Sequence, residues 1–221
     1  MRNLIIKMLM WVQNVLLASL HRRYQPHFSE DFEGQPVFMI SQIKGDDKTW
    51  HGERRKHVEL GNTFSWKRFF RKPLRENPKT LSDIEAFLNS CTYLSDQETR
   101  NCADYWEPPD VFEERKTGDC EDHAIWAWRQ LHDMGIRSRL VLGTCKTGHA
   151  WVHIFVNGRV YLLEATQKCK GFPNPRFYKA RWSVERLKNK NFGFYYHAPE
   201  KEKDHQTRGS WSQRVVQDGD L

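Results

Sequence analysis

The chain has 221 residues, 38% hydrophobic and 29% charged, and 35 Lys and Arg against 28 Asp and Glu leave a formal net charge of +7. That length suits one domain with appendages better than two full ones, and the apolar fraction supports a single modest core rich in Trp and Phe. The basic balance favours an anionic partner, nucleic acid or lipid, without choosing between them, and five Cys (91, 102, 120, 145 and 169) with no CxxC pair exclude a complete disulfide framework.

Residues 4–20 are apolar but broken by Lys7, Gln13 and Asn14. The run is short for a transmembrane helix and lacks a small-x-small cleavage site. Ile5, Met8, Leu9, Val12, Leu16 and Leu20 fall on one helical stripe. Three readings of the segment 1–25 stand side by side: an amphipathic helix docked on its own domain, a membrane contact, or a signal. A cytoplasmic or membrane-associated location is favoured over a secreted one. Residues 26–78 form a basic, largely irregular extension, with a candidate strand at Val37–Ile43. Within it, Lys67–Arg75 interleaves basic and aromatic residues, which suits nucleic acid or lipid headgroups. A solvated strap with its aromatics on the core is the favoured alternative.

A catalytic domain is expected over residues 79–199. A helix over Leu81–Asn89 is capped by Thr80 or Ser82 and buries Ile84, Phe87 and Leu88. Trp106-Glu-Pro-Pro-Asp110 reads as a rigid loop, because paired prolines stop a helix. The strongest helix starts at Cys120, with Asp119 at the N-cap and Asp122 reaching back as a capping-box acid does. Its stripe is Ala124, Ile125, Trp128 and Leu131, and Gly135 ends it. Strands follow at Ser138–Cys145, His149–Val156, Arg159–Thr166 and Phe192–His197, and Asn157-Gly158 is a favoured two-residue hairpin turn. Helix followed by hairpins indicates an α+β fold, with the nucleophile helix packed on a small antiparallel sheet. The tail 200–221 is polar and expected to be disordered.

A cysteine at a helix start meets free N–H donors and a partial positive charge that favour the thiolate. The two-residue turn pairs Val156 with Arg159, so Trp151 faces Glu164 and both His149 and His153 are its diagonal neighbours on one sheet face. Spacing alone leaves both histidines open as the base that Glu164 would orient. A thiol, a base and a carboxylate are the parts of a cysteine acyl-transfer enzyme, provided the helix start lies over that face.

Trp106-Glu-Pro-Pro, Lys116-Thr-Gly-Asp-Cys-Glu-Asp-His-Ala124, Leu131-x3-Gly135-Ile136, Gly148-His149-Ala150 and Tyr161-Leu-Leu-Glu164 resemble the bacterial transglutaminase-like cysteine peptidases. The resemblance implies a papain-like fold and a protein or peptide substrate, with Cys120 as nucleophile, His149 as base and Glu164 as the third member, where the family mostly carries Asp. It makes Trp106 a wall of the site and a candidate substrate or oxyanion residue. No cofactor is required. Some relatives bind calcium through acids that match Asp119, Glu121 and Asp122, and hard oxygen ligands suit that ion. Helix capping explains the same acids and is the favoured reading.

Two other readings compete. Cys120-x2-His123 and Cys145-x3-His149 have zinc-like spacing, which would make a zinc-stabilised binding domain, although Cys120 and His123 share a helix's first turn. A non-catalytic basic binding module on the same scaffold would have no need of the intact Cys-His-Glu set. The remaining thiols, Cys91, Cys102, Cys145 and Cys169, are read as inert core residues.

Overall fold

The computed structural model describes residues 37, 39–46, 53–55, 65–166 and 173–197. The segments 1–25 and 200–221, together with Cys169, lie outside the described residues. In chain order the elements are β1 (Ile40–Asp46), β2 (Glu53–Arg55), α1 (Leu81–Ser90), β3 (Thr92–Tyr93), α2 (Asp96–Thr99), α3 (Pro109–Arg115), β4 (Thr117–Gly118), α4 (Cys120–Asp133), β5 (Ser138–Cys145), β6 (Thr147–Val156), β7 (Arg159–Leu163), β8 (Lys179–Arg186) and β9 (Phe192–Tyr196). Short 3-10 turns occupy Trp66–Phe70 and Pro175–Phe177. None of the helices among the described residues is long and apolar enough to cross a membrane.

Helix α4 is the centre of the molecule. Ala124, Ile125, Trp126, Ala127, Trp128 and Leu131 are all fully buried, so the helix is apolar well beyond the expected stripe. Trp126 stacks on Phe87 of α1 at 3.9 Å, and Trp128 meets Trp66 and Phe70 edge-on. The helix ends at Gly135, whose φ of 76° suits a residue without Cβ and lets the Ile136 N–H return to the Leu131 carbonyl at 2.8 Å.

The sheet runs β1-β7-β6-β5-β8-β9-β2, with every pairing antiparallel. Val156 pairs with Arg159 across Asn157 and Gly158, whose φ values of 49° and 73° are those the two-residue turn demands. The preceding connection is tighter than expected. Cys145 already pairs with Thr147, and Lys146 makes the reversal alone at φ 69°. Side chains alternate across β6: Ala150, Val152 and Ile154 pack with α4, while Trp151 and Phe155 join Val141, Val160 and Leu162 on the other face.

One expectation is corrected. Pro108 and Pro109 do not stop a helix but start one, since Pro109 occupies the first turn of α3, where a missing N–H costs nothing. Residues before 78 also contribute to the sheet and core: β1 pairs with β7, and Trp66 and Phe69 are buried in the main core. The α+β architecture is the expected one, a helix packed on an antiparallel sheet, and the sheet has seven strands among the described residues. Strand β8 escapes notice because its sequence, Lys-Ala-Arg-Trp-Ser-Val-Glu-Arg, is half charged. Its Glu185 is nonetheless buried, held by Arg137 and Arg139 at 2.8 Å each. The basic strap behaves as the favoured reading held. Its aromatics turn inward, Arg68 donates to the Trp106 carbonyl at 2.8 Å, and Lys72 pairs with Asp110 at 3.0 Å.

Behind the sheet, His153 is fully enclosed and His197 bonds Ser183 Oγ at 2.8 Å. Burial, and then nearby positive charge, holds His153 well below its ordinary value, and burial and Arg139 hold His197 down to about 4 from 6.5. A folded-state value below the unfolded one means stability that is complete above pH 6.5 and lost as the pH falls toward 4. His197 accounts for roughly 3 kcal/mol of that loss, at about 1.4 kcal/mol per pH unit. Urea unfolding at pH 7.5 and pH 4.5 should show it, and His197→Gln should lessen the acid loss. An unchanged acid slope in that variant would contradict the assignment.

Candidate active site

The Gly-Asp-Cys-Glu-Asp run is spelled by local sterics. Asp122 folds back over the start of α4, where Oδ1 accepts the Glu107 N–H at 2.7 Å and Oδ2 faces the Asp119 N–H at 3.4 Å. A Cβ on Gly118 would overlap that carboxylate, so the position requires glycine. Glu107 is anchored in turn by Arg100 and by Arg115, the latter at 2.7 Å. These contacts bind the Trp106-Glu107 loop to the helix start that carries Cys120.

Cys120 is buried, its thiol donates to Glu121 Oε2 at 3.0 Å, and its sulfur also receives the Ala150 N–H. Burial first, then the Glu121 and Asp119 carboxylates, push the thiol well above its ordinary value. This reverses the expectation from helix position alone: burial, joined by two acids at contact range, outweighs the partial charge of a helix end. The placement of α4 differs too. It packs on the Ala150 face, not on the histidine face, and meets β6 at the Ala150 backbone, one residue from His149.

His149 and Glu164 meet directly, with Nε2 to Oε2 at 2.7 Å. Oε2 also accepts the Tyr178 hydroxyl at 2.7 Å, and Oε1 accepts the Thr166 N–H at 3.0 Å and the Thr166 hydroxyl at 2.7 Å. Burial would raise Glu164, but the bonds from His149 and Thr166 outweigh it and hold the carboxyl below its ordinary value. An ionised carboxylate only accepts, so the proton between them sits on Nε2, and Nδ1 is left as the basic nitrogen. His153 faces another partner, since its Nε2 accepts the Trp151 indole N–H at 2.9 Å. The two histidines that spacing left open are thus separated by their contacts.

Trp106 is buried and its indole N–H donates to Asp104 at 2.9 Å. That N–H is therefore not offered to an oxyanion. Asp104 belongs to a cluster the sequence reading named only in part. Asp96, Asp104 and Glu121 place ligand oxygens within 4.8 Å of one another, as do Asp96, Asp119 and Asp122. Asp96, Asp104, Glu121 and Asp122 are buried. Burial is the main cause that raises Asp96, Asp119, Glu121 and Asp122. Capping accounts for Asp119 and Asp122 but not for Asp96, Asp104 and Glu121, and Asp119 Oδ1 is a buried oxygen with no hydrogen-bond partner. Asp96 and Asp104 lie 24 and 16 residues before Cys120 (120 − 96 and 120 − 104), on and after a one-turn helix with no apolar pattern to place it. Among the described residues, no metal-ligand group combines Cys120, His123, Cys145 and His149. His123 Nδ1 instead lies 2.7 Å from the Asp119 carbonyl, which leaves the zinc reading without a site.

Residues 69–164 match the model of the transglutaminase-like superfamily core. Among solved structures, the chain is similar to Legionella pneumophila LapG in three forms. The calcium-bound form is 23% identical over 47% of this chain and 62% of that one, with a TM-score of 0.40. The EGTA-treated form is 21% identical over 60% and 74%, with a TM-score of 0.44. A third LapG structure is 23% identical over 47% and 60%, with a TM-score of 0.39. The chain thus spans about three fifths of the first of these structures. No curated protein matches it.

Gly118→Ala should displace the Asp122 carboxylate and release both N–H groups it holds, at a cost of roughly 1–2 kcal/mol. Urea midpoints of the two proteins measure this, and equal midpoints would show that the carboxylate does not secure the helix start.

Proposed function

We propose that this chain, whose residues 69–164 are a transglutaminase-like core, is a cysteine peptidase or amidase-type acyl-transfer enzyme built on Cys120, His149 and Glu164. The observation that carries the reading is the 2.7 Å contact between His149 Nε2 and Glu164. It occurs beside Ala150, whose N–H meets the Cys120 sulfur. Nothing in a packing role requires a buried carboxylate to fix one histidine tautomer beside a cysteine.

The chemistry follows from those atoms. His149 Nδ1 takes the Cys120 thiol proton, and the sulfur attacks the carbonyl carbon of a peptide or glutamine side-chain amide. The carbonyl oxygen becomes an oxyanion, for which the Cys120 backbone N–H at the start of α4 is a donor. His149 then gives its proton to the amide nitrogen, the C–N bond breaks and the amine leaves a thioester on Cys120. Water, deprotonated by the same ring, attacks the thioester and returns the thiol with a free acid. An amine in place of water gives a new amide. Glu164 holds the ring and balances the imidazolium throughout.

The acidic cluster fits calcium: hard oxygen donors, one of them orphaned, on several buried acids. Asp119, Glu121 and Asp122, joined by Asp96 and Asp104, are the residues that would hold it. Bound there, the ion would supply positive charge beside the thiol.

Two measurements test these statements. Alkylation of Cys120 by iodoacetamide should slow by about 100-fold or more in His149→Ala and change only a few-fold in His153→Gln. Equal rates in wild type and His149→Ala, with an ordinary thiol pH profile, would sink the enzyme reading. Calcium should raise the melting temperature and titrate calorimetrically to a saturable site, with roughly 3 kcal/mol of stabilisation at a hundredfold excess over its dissociation constant. Both signals should vanish in Asp104→Asn with Glu121→Gln; heat and melting curves indifferent to calcium would refute the metal site.

A further inference from the structure

Glu164 is held by four donors, and three of them, two from Thr166 and one from Tyr178, come from a part of the chain that the family match does not reach. Tyr178 lies beyond residue 164, where the match ends, at the exit of the Pro175–Phe177 turn that leads into β8. The turn is fixed by Pro175 and by Asn174, whose side chain accepts the Arg176 N–H at 3.2 Å. The Tyr178 ring stands edge-on to Trp151 at 5.3 Å and lies 6.1 Å from the His149 ring. Its hydroxyl donates to the same carboxylate oxygen that accepts the His149 N–H.

Glutamate reaches its partner through one more rotatable bond than aspartate. Left with a single partner on Oε2, the carboxylate could swing and carry the imidazole with it. Thr166 fixes Oε1 through two bonds, which leaves rotation about that oxygen as the remaining freedom. A second donor on Oε2 removes it. The bond also stabilises the anion, because hydrogen bonds to an ionised carboxylate favour the charged form.

We infer that Tyr178 is a positioning residue of this site, whose hydroxyl locks the ionised Glu164 carboxylate and through it the orientation of His149. The inference rests on the acyl-transfer reading for its consequence, but not for the contact itself. The titratable and charged groups around the pair are His149 of β6, Cys145 at the end of β5, which hydrogen-bonds the Tyr178 hydroxyl, and Lys146 of the adjoining turn. None of them can replace the lost donor: the His149 N–H already donates to Oε2, and Cys145 faces the hydroxyl.

Tyr178→Phe keeps the ring and removes the hydroxyl. Glu164 ionisation, followed by carboxyl carbon NMR, should then move up by about one pH unit. The acid limb of Cys120 alkylation by iodoacetamide should move up with it, and the plateau rate should fall about tenfold. A role in packing alone would lower the melting temperature and leave both titrations in place, which would overturn the inference. Should the phenylalanine variant fail to fold, trifluorotyrosine at 178 preserves shape and makes a stronger donor, and Glu164 ionisation must then move down; no movement overturns the inference. The two readings fail separately. A moved Glu164 titration with alkylation insensitive to His149 leaves the positioning role standing and removes the enzyme. Alkylation that needs His149 but is identical with and without the hydroxyl does the opposite.

Discussion

The burial of α4 is the constraint on which the other features depend. Its two tryptophans and its small residues are fully enclosed, so its N-terminus cannot open to water without tearing the core. Everything at that end must be satisfied from within. Asp122 and Gly118 meet this need for the backbone, and the Ala150 N–H meets it for the Cys120 sulfur. A desolvated helix start is then a place where charges are felt strongly.

The two ends of the site treat carboxylates in opposite ways. Glu164 is buried, yet four donors keep it ionised with ease. Glu121 is equally buried, but its neighbours Asp119 and Asp104 are also acids, and it is raised. Burial acts in the same direction in both cases, so the partners decide the outcome. One acid is held ionised against a histidine ring. The other belongs to a group whose mutual repulsion a cation would relieve.

Much of this was legible because short-range rules produce it. Asn157-Gly158 set the register that brings Glu164 beside His149, and Thr80 and Asp122 announced their helices by capping chemistry. What escaped depends on contacts distant in sequence. Glu185 is an inside residue only because Arg137 and Arg139 await it. Asp96 and Asp104 join Glu121 through a loop without periodicity. Spacing likewise could not tell His149 from His153, since both are diagonal to Glu164. Their hydrogen-bond partners, on Glu164 and Trp151, separate them. The raised thiol shows the same limit: a helix end is visible in sequence, but the acids that oppose it act through space.

The strand order has a consequence for folding. Strand β1 pairs with β7, so Ile40 waits for Leu163, 163 − 40 = 123 residues later, and β8 must insert beside β5 before the Tyr178 turn is anchored. Such long-range closures form late and slowly. The four bonds that hold Glu164 draw on β6, on the turn after β7 and on the turn before β8, so the carboxylate is fixed only once these distant strands have closed.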